Sequence, residues 1–89
     1  MSAPPSLTGR VRAAYQRGGI HAARAFLAFF RWAVFRETGQ PIGGPIPDTP
    51  REARAEADRL SRVAVEQGGP ELLRSALHLA EEADAEGGA

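Results

Sequence analysis

The sequence predicts an all-α protein: a small bundle of three to four helices with an aromatic-rich central helix and an α-hairpin after a Pro/Gly linker. Three observations point that way. Apolar residues recur at helical spacing in four stretches. Glycine and proline punctuate the chain between those stretches, at "RGG" (17–19), "GQPIGGPIPDTP" (39–50) and "QGGP" (67–70). The tetrapeptide Thr49-Pro50-Arg51-Glu52 is a capping box, with proline at the first helical position, where its missing N–H does no harm.

The first helix is expected to start near Ser6 or Thr8, with Leu7, Val11, Ala14 and Tyr15 on one stripe. Gly18 and Gly19 should turn the chain, because two consecutive glycines cost about 2 kcal/mol of helix propensity relative to alanine. A second helix is expected from about Ile20 to Thr38. Gly39 then supplies a left-handed cap, and Pro41 bars continuation. Residues 40–49 read as an extended linker, with Ile42 and Ile46 expected to pin it to the surface. The third helix presents Ala53, Ala57, Leu60, Val63 and Ala64 on one side. Arg54/Asp58, Asp58/Arg62 and Arg62/Glu66 are spaced for pairing elsewhere on it. "QGGP" should end it, and Pro70 should open a fourth helix carrying Leu72, Leu73, Ala76, Leu77, Leu79, Ala80 and Ala83 on a broad apolar face.

The expected organisation is one domain. It comprises a flexible N-terminus (1–6), a basic, aromatic-rich helical segment (7–39), the Pro/Gly linker (40–49), an amphipathic helical hairpin (50–84) and a flexible tail (85–89). At 89 residues a single core must carry nearly all the stability. Seventeen of the apolar residues are alanine, so bulky core side chains are few, and they crowd into residues 26–35.

That crowding frames the functional question. "AFLAFFRWAVFR", residues 25–36, holds five of the six aromatic rings. On a helix at about 100° per residue, Ile20, Ala22, Ala23, Phe26, Leu27, Phe29, Phe30, Ala33 and Val34 share one arc wide enough for a core. His21, Ala25, Ala28, Trp32 and Phe35 fall on the opposite half, with Arg24 and Arg31 on one side and Arg36 on the other. Three short helices, two of them alanine-rich, are poorly supplied to cover both halves. Leaving Trp32 and Phe35 in water forfeits roughly 1.5–3 kcal/mol each relative to burial, so the second face is expected to dock a partner. The expected contact residues are Phe29, Trp32, Phe35 and Arg36, with Arg24 and Arg31 at the rim. The alternative for this face is that helix one and the linker isoleucines fold over it.

The zero net charge conceals a separation. Residues 1–36 carry six arginines and no acid, a charge of +6, and residues 37–89 carry five arginines and eleven acids, a charge of −6. Arg10, Arg17, Arg24 and Arg31 are seven residues apart, which would draw a nearly straight basic stripe if the first two helices were continuous. Such a stripe can be a solvated face in an arginine-rich chain, can meet the chain's own Glu81, Glu82, Asp84 and Glu86, or can meet an acidic partner or phosphates. Arg10, Arg12 and Arg17 are the candidates for the last role.

Catalytic equipment is missing from the pattern. There is no cysteine, hence no disulfide or thiolate, which fits a reducing cytosol. His21 and His78 are the only histidines, and His78 with Glu81 and Glu82 lacks the further ligands that helical metal sites need. The serines have no nucleophile-elbow context, and the glycine pairs are not phosphate loops. No enzymatic activity, cofactor, metal or small-molecule substrate is expected.

The N-terminus lacks a signal-peptide apolar region and no run reaches the roughly 18–20 apolar residues of a membrane span, so a cytoplasmic location is the expectation. The functional expectation is a small helical interaction, regulatory or accessory protein that associates with itself or with another protein. The alternatives are nucleic-acid binding through the basic N-terminal half, or a membrane-surface helix built on the Arg, Trp and Phe of residues 20–36.

Overall fold

The computed structural model describes residues 6–87, and within them the chain forms two helices, α1 (Leu7–Thr38) and α2 (Pro50–Gly87). This corrects the expected bundle of three to four helices and the separate α-hairpin. The breaks foreseen at "RGG" and "QGGP" are kinks inside continuous elements. Gly18 (φ −144°, ψ 16°) and Gly19 (φ 73°, ψ −159°) interrupt α1, and Gly69 (φ 75°, ψ −174°) interrupts α2. The physical reason is economy of residues. One or two glycines absorb the whole change of direction, and helical bonding resumes without an intervening loop. Gly19 and Gly69 use the same corner of backbone space, positive φ with ψ near 180°, which is essentially closed to residues bearing a Cβ. Pro70 follows at once, where a missing N–H is harmless.

The kinks are sharp. Straight helices of 32 and 38 residues would run about 48 and 57 Å at 1.5 Å per residue, whereas the molecule measures only 32 × 30 × 26 Å. Each helix therefore folds back into two arms, and the arms of α1 and α2 enclose one core.

The ends follow the sequence signals closely. Ser6 caps α1, its hydroxyl accepting from the Gly9 N–H at 3.0 Å. Gly39, at φ 75°, closes α1 in the left-handed region, and its N–H donates to the Phe35 carbonyl at 2.7 Å. At the start of α2 the Glu52 N–H donates to the Thr49 hydroxyl at 3.1 Å, and that hydroxyl donates to the Glu52 carboxylate at 3.1 Å. The returning backbone bond comes from Asp48 rather than Thr49, at 3.4 Å. The flexible segment expected at 1–6 lies outside the described residues except for Ser6, the cap. At the other end α2 continues to Gly87.

Phe26, Leu27, Phe30 and Val34 of α1 pack with Leu7 and Val11 from its first arm and Leu60, Leu72 and Leu77 from α2. Alanines fill the spaces between them: Ala14, Ala23, Ala33, Ala57, Ala64, Ala76 and Ala80 are fully buried. Small side chains at these contacts let the helix axes approach closely, which is how a chain with few bulky residues still fills its interior. Ala22, Phe29 and Ile20 are partly buried beside the core, completing the arc drawn from the sequence. The pairings expected along α2 do not form. Asp58 instead accepts from the Thr8 hydroxyl at 2.7 Å, tying the start of α1 to α2. Among the described residues no helix is long and apolar enough to cross a membrane.

Candidate functional site: the outer face of α1 and its arginine-bound border

The second arm of α1 turns one face to the core and leaves the other uncovered. His21, Ala25, Ala28, Trp32 and Phe35 are all exposed, Trp32 at 45% and Phe35 at 48%. Their spacing is four, three, four, three. At 100° per residue they fall within an arc of about 80°, so they form one narrow seam with the heptad spacing that marks a helix–helix contact. Arg36 lies over the Trp32 ring at 5.8 Å from its centroid, a cation–π contact that orients both side chains. Phe29 is half-buried and packs against the core, so it belongs mainly to the core side and not to this seam.

The linker borders this seam without covering Trp32 or Phe35. Ile42 packs against the core, but Ile46 is 69% exposed, so it does not pin the linker as expected. It stands in a shallow groove beside His21, Ala25 and Ala28 and widens the apolar surface there.

Besides Ile42 on the core and the buried Pro47, arginines hold the linker. The Arg24 Nε–H donates to the Pro47 carbonyl at 2.6 Å, Arg31 donates to the Pro45 carbonyl at 2.8 Å, and Arg59 donates to the Gly43 carbonyl at 2.6 Å. Extended, proline-rich chain has no internal partners for its carbonyls, and three guanidinium groups supply them. Arg24 also pairs with Asp48 at the end of the linker.

Arg31 and Arg59 converge on Glu56, which is 4% exposed and is the one charged side chain buried among the described residues. Arg59 donates to both carboxylate oxygens, at 2.8 and 2.7 Å, and Arg31 donates to Oε2. The hydrogen bonds from Arg59, followed by that from Arg31, hold the Glu56 carboxyl below the usual carboxylate range, although burial pushes the other way. The Glu56 bond in turn raises the Arg59 guanidinium. Gly44 passes directly over this cluster. A Cβ there would overlap Arg59 Nη2 and Glu56 Oε2 and would sit 3.1 Å from Arg31 Nη2.

The heptad-spaced arginines are thus all engaged within the chain. Arg10 pairs with Glu81 at 2.6 Å and Arg17 with Asp84 at 3.2 Å, while Arg24 and Arg31 take Asp48 and Glu56. The kink at Gly18–Gly19 divides the stripe between two ends of the protein: its lower half meets the last arm of α2, and its upper half meets the linker and the first arm. Of the four acids proposed for this role only Glu81 and Asp84 serve; Glu82 contacts His78 at 2.6 Å. Arg12 has no acidic partner among the described residues and lines, with Tyr15 and Arg54, an apolar cleft of about 150 Å³.

Sequence reasoning missed Glu56, Arg59, Asp48 and Gly44. One signal was available for Glu56. It lies three residues after Ala53 and four before Leu60, on the apolar stripe of α2, where an unpaired carboxylate would be costly. Among the described residues no group of three or more His, Asp and Glu side chains is placed to hold a metal ion. Comparison with known proteins finds no family model, no curated protein and no solved structure that matches the chain.

Proposed function

We propose that this chain is a small helical protein–protein interaction module, of a regulatory or accessory kind, that works by docking a helix onto the outer seam of α1 and that associates with itself in this way. One observation carries the reading. In a protein short of bulky apolar residues, its only tryptophan and a phenylalanine are about half exposed at heptad spacing, on a helix whose other face packs into the core. Exposed aromatic pairs on a rigid element are the usual anchors of protein contacts, because they bury large area with little loss of conformational freedom.

The basic N-terminal segment favours nucleic acid less. Four of its six arginines already hold carboxylates of the same chain, which lowers the charge available to phosphates.

Sedimentation velocity over a concentration series tests the proposal. The wild type is expected to shift towards twice its monomer mass in the micromolar range, and the Trp32→Ala, Phe35→Ala double variant is expected to stay monomeric with unchanged helical circular dichroism. A wild type that remains monomeric at hundreds of micromolar contradicts it.

A further inference from the structure

The seam has an internal order that its exposure alone does not reveal. Its N-terminal half is small (Ala25, Ala28) and its C-terminal half is large (Trp32, Phe35), and all four are exposed. Resting on the self-association proposed above, we infer that the partner is a second copy docked antiparallel, in the register that places Ala28 against the second copy's Trp32 and Ala25 against its Phe35.

The argument is one of shape. In an antiparallel pair of helices each a position packs in a layer with a d position of the other helix. With Ala25 and Trp32 at a and His21, Ala28 and Phe35 at d, this register produces four successive layers, and each contains one alanine and one aromatic ring. The two-fold axis passes between Ala28 and Trp32. Each layer is then of similar thickness, the condition for two helices to remain in contact along their length. A parallel, in-register pair would set Trp32 on Trp32 and Phe35 on Phe35 at one end and alanine on alanine at the other. The helices would splay at the aromatic end, and at the other end only Ile46 would stand beside the alanines.

Charge is compatible with the same arrangement. Flanking positions on one side of the seam are Arg24 and Arg31, and in this register Arg31 lies next to the two-fold axis, facing its own equivalent. Two bare guanidinium groups there would repel. Each is instead already in contact with a Glu56 carboxylate of its own copy, so two ion pairs meet rather than two cations. Arg24 is tied to Asp48 in the same way.

A size-swap experiment reads the register directly. Ala28→Trp alone should set two tryptophans in one layer, and Trp32→Ala alone should leave two alanines. Each single variant is expected to weaken the dimer at least tenfold. The double variant A28W/W32A restores one large and one small residue per layer and is expected to return to within about threefold of the wild-type dissociation constant. Since both positions are exposed, circular dichroism should be unchanged throughout.

A second readout does not depend on that affinity. Spin labels on His21→Cys, in a chain with no other cysteine, should lie roughly 27 Å apart along the helix axes in the antiparallel dimer, since residue 21 then faces residue 39. They would be within about 15 Å in a parallel one, where the helix axes are 8–10 Å apart. Recovery by the double variant with the long label distance upholds the register. A wild-type dimer without recovery, or with the short distance, overturns the register and leaves self-association standing. A wild type that never dimerises overturns both.

Discussion

Arg31 of α1 reaches Glu56 of α2 and also binds the Pro45 carbonyl, so a single guanidinium joins both helices and the linker between them. It shares with Arg59 the task of satisfying the buried Glu56 carboxylate. Two arginines supply three hydrogen bonds to the carboxylate, and the linker carbonyls use donors that the carboxylate leaves free. The uncovered seam on α1 therefore borders a segment that, despite four prolines and two glycines among residues 40–50, is fixed in place.

Glu56→Gln keeps the shape and removes the charge. Loss of one partner in a buried hydrogen-bonded cluster costs roughly 1–3 kcal/mol, and urea denaturation should show a loss of that size. The pH dependence has a defined sign. Because the folded carboxyl titrates below its ordinary value, its contribution is present above the unfolded pKa of about 4.3 and is lost as pH falls through the folded value. The wild type should therefore lose stability more steeply below about pH 4.3 than the Gln variant. Equal slopes for the two proteins would show that Glu56 does not titrate against folding.

Gly44→Ala and Gly43→Ala should differ sharply. At Gly44 the added methyl meets the Arg59–Glu56–Arg31 cluster, whereas at Gly43 nothing lies within 4 Å. The first should cost roughly 1–3 kcal/mol, the usual range for overpacking. The second should change thermal stability by less than about 0.5 kcal/mol. Similar melting temperatures for both variants would mean that the linker is not held over the cluster.

Gly19→Ala isolates the backbone at the α1 kink. Its Cβ would contact nothing within 4 Å, yet φ is 73° and ψ is −159°, so the expected cost of roughly 1–3 kcal/mol is conformational alone. Gly69→Ala repeats the test in α2, with Glu71 Oε2 2.8 Å from the new methyl, at the end of a side chain able to swing away. A stabilised Gly19→Ala protein would mean that α1 is straight there.

Phe30→Ala and Phe35→Ala remove the same ring from opposite faces of one helix. Phe30 is fully buried and Phe35 is 48% exposed. The first should cost roughly 3–5 kcal/mol, much of the stability of a small domain. The second, measured at submicromolar concentration, should cost well under 1 kcal/mol. Denaturation midpoints under identical conditions check the contrast.

Local signals were legible where local chemistry decides the outcome. Ser6, Gly39 and the Thr49/Glu52 pair cap their helices as their residue types suggest, and the 100° projection separates Phe30 from Trp32 correctly. Gly18–Gly19 and Gly69 do interrupt the helical backbone, but as kinks within α1 and α2 and not as the helix boundaries expected there. Nothing local says whether a glycine ends a helix or bends it, since that depends on how the two arms pack afterwards. The arginine cluster was hidden for a related reason. Arg31 and Glu56 are 25 residues apart, and only the fold shows that Arg31 and Arg59 share one partner, Glu56. Ile46 illustrates the converse: both linker isoleucines suggested anchors, but only Ile42 packs against the core, and with the buried Pro47 and the carbonyl–guanidinium bonds it holds the linker while Ile46 stays 69% exposed.

Fluorescence of Trp32 over a dilution series is the most direct test of the central claim, because it is the only tryptophan and it sits in the proposed contact. On raising the concentration from submicromolar to hundreds of micromolar, the emission should move to shorter wavelength and acrylamide quenching should weaken several-fold, as the ring leaves water for the second copy's Ala28. An emission maximum and quenching constant that stay at their dilute values across the whole range would contradict the account, leaving the outer face of α1 with no second copy on it.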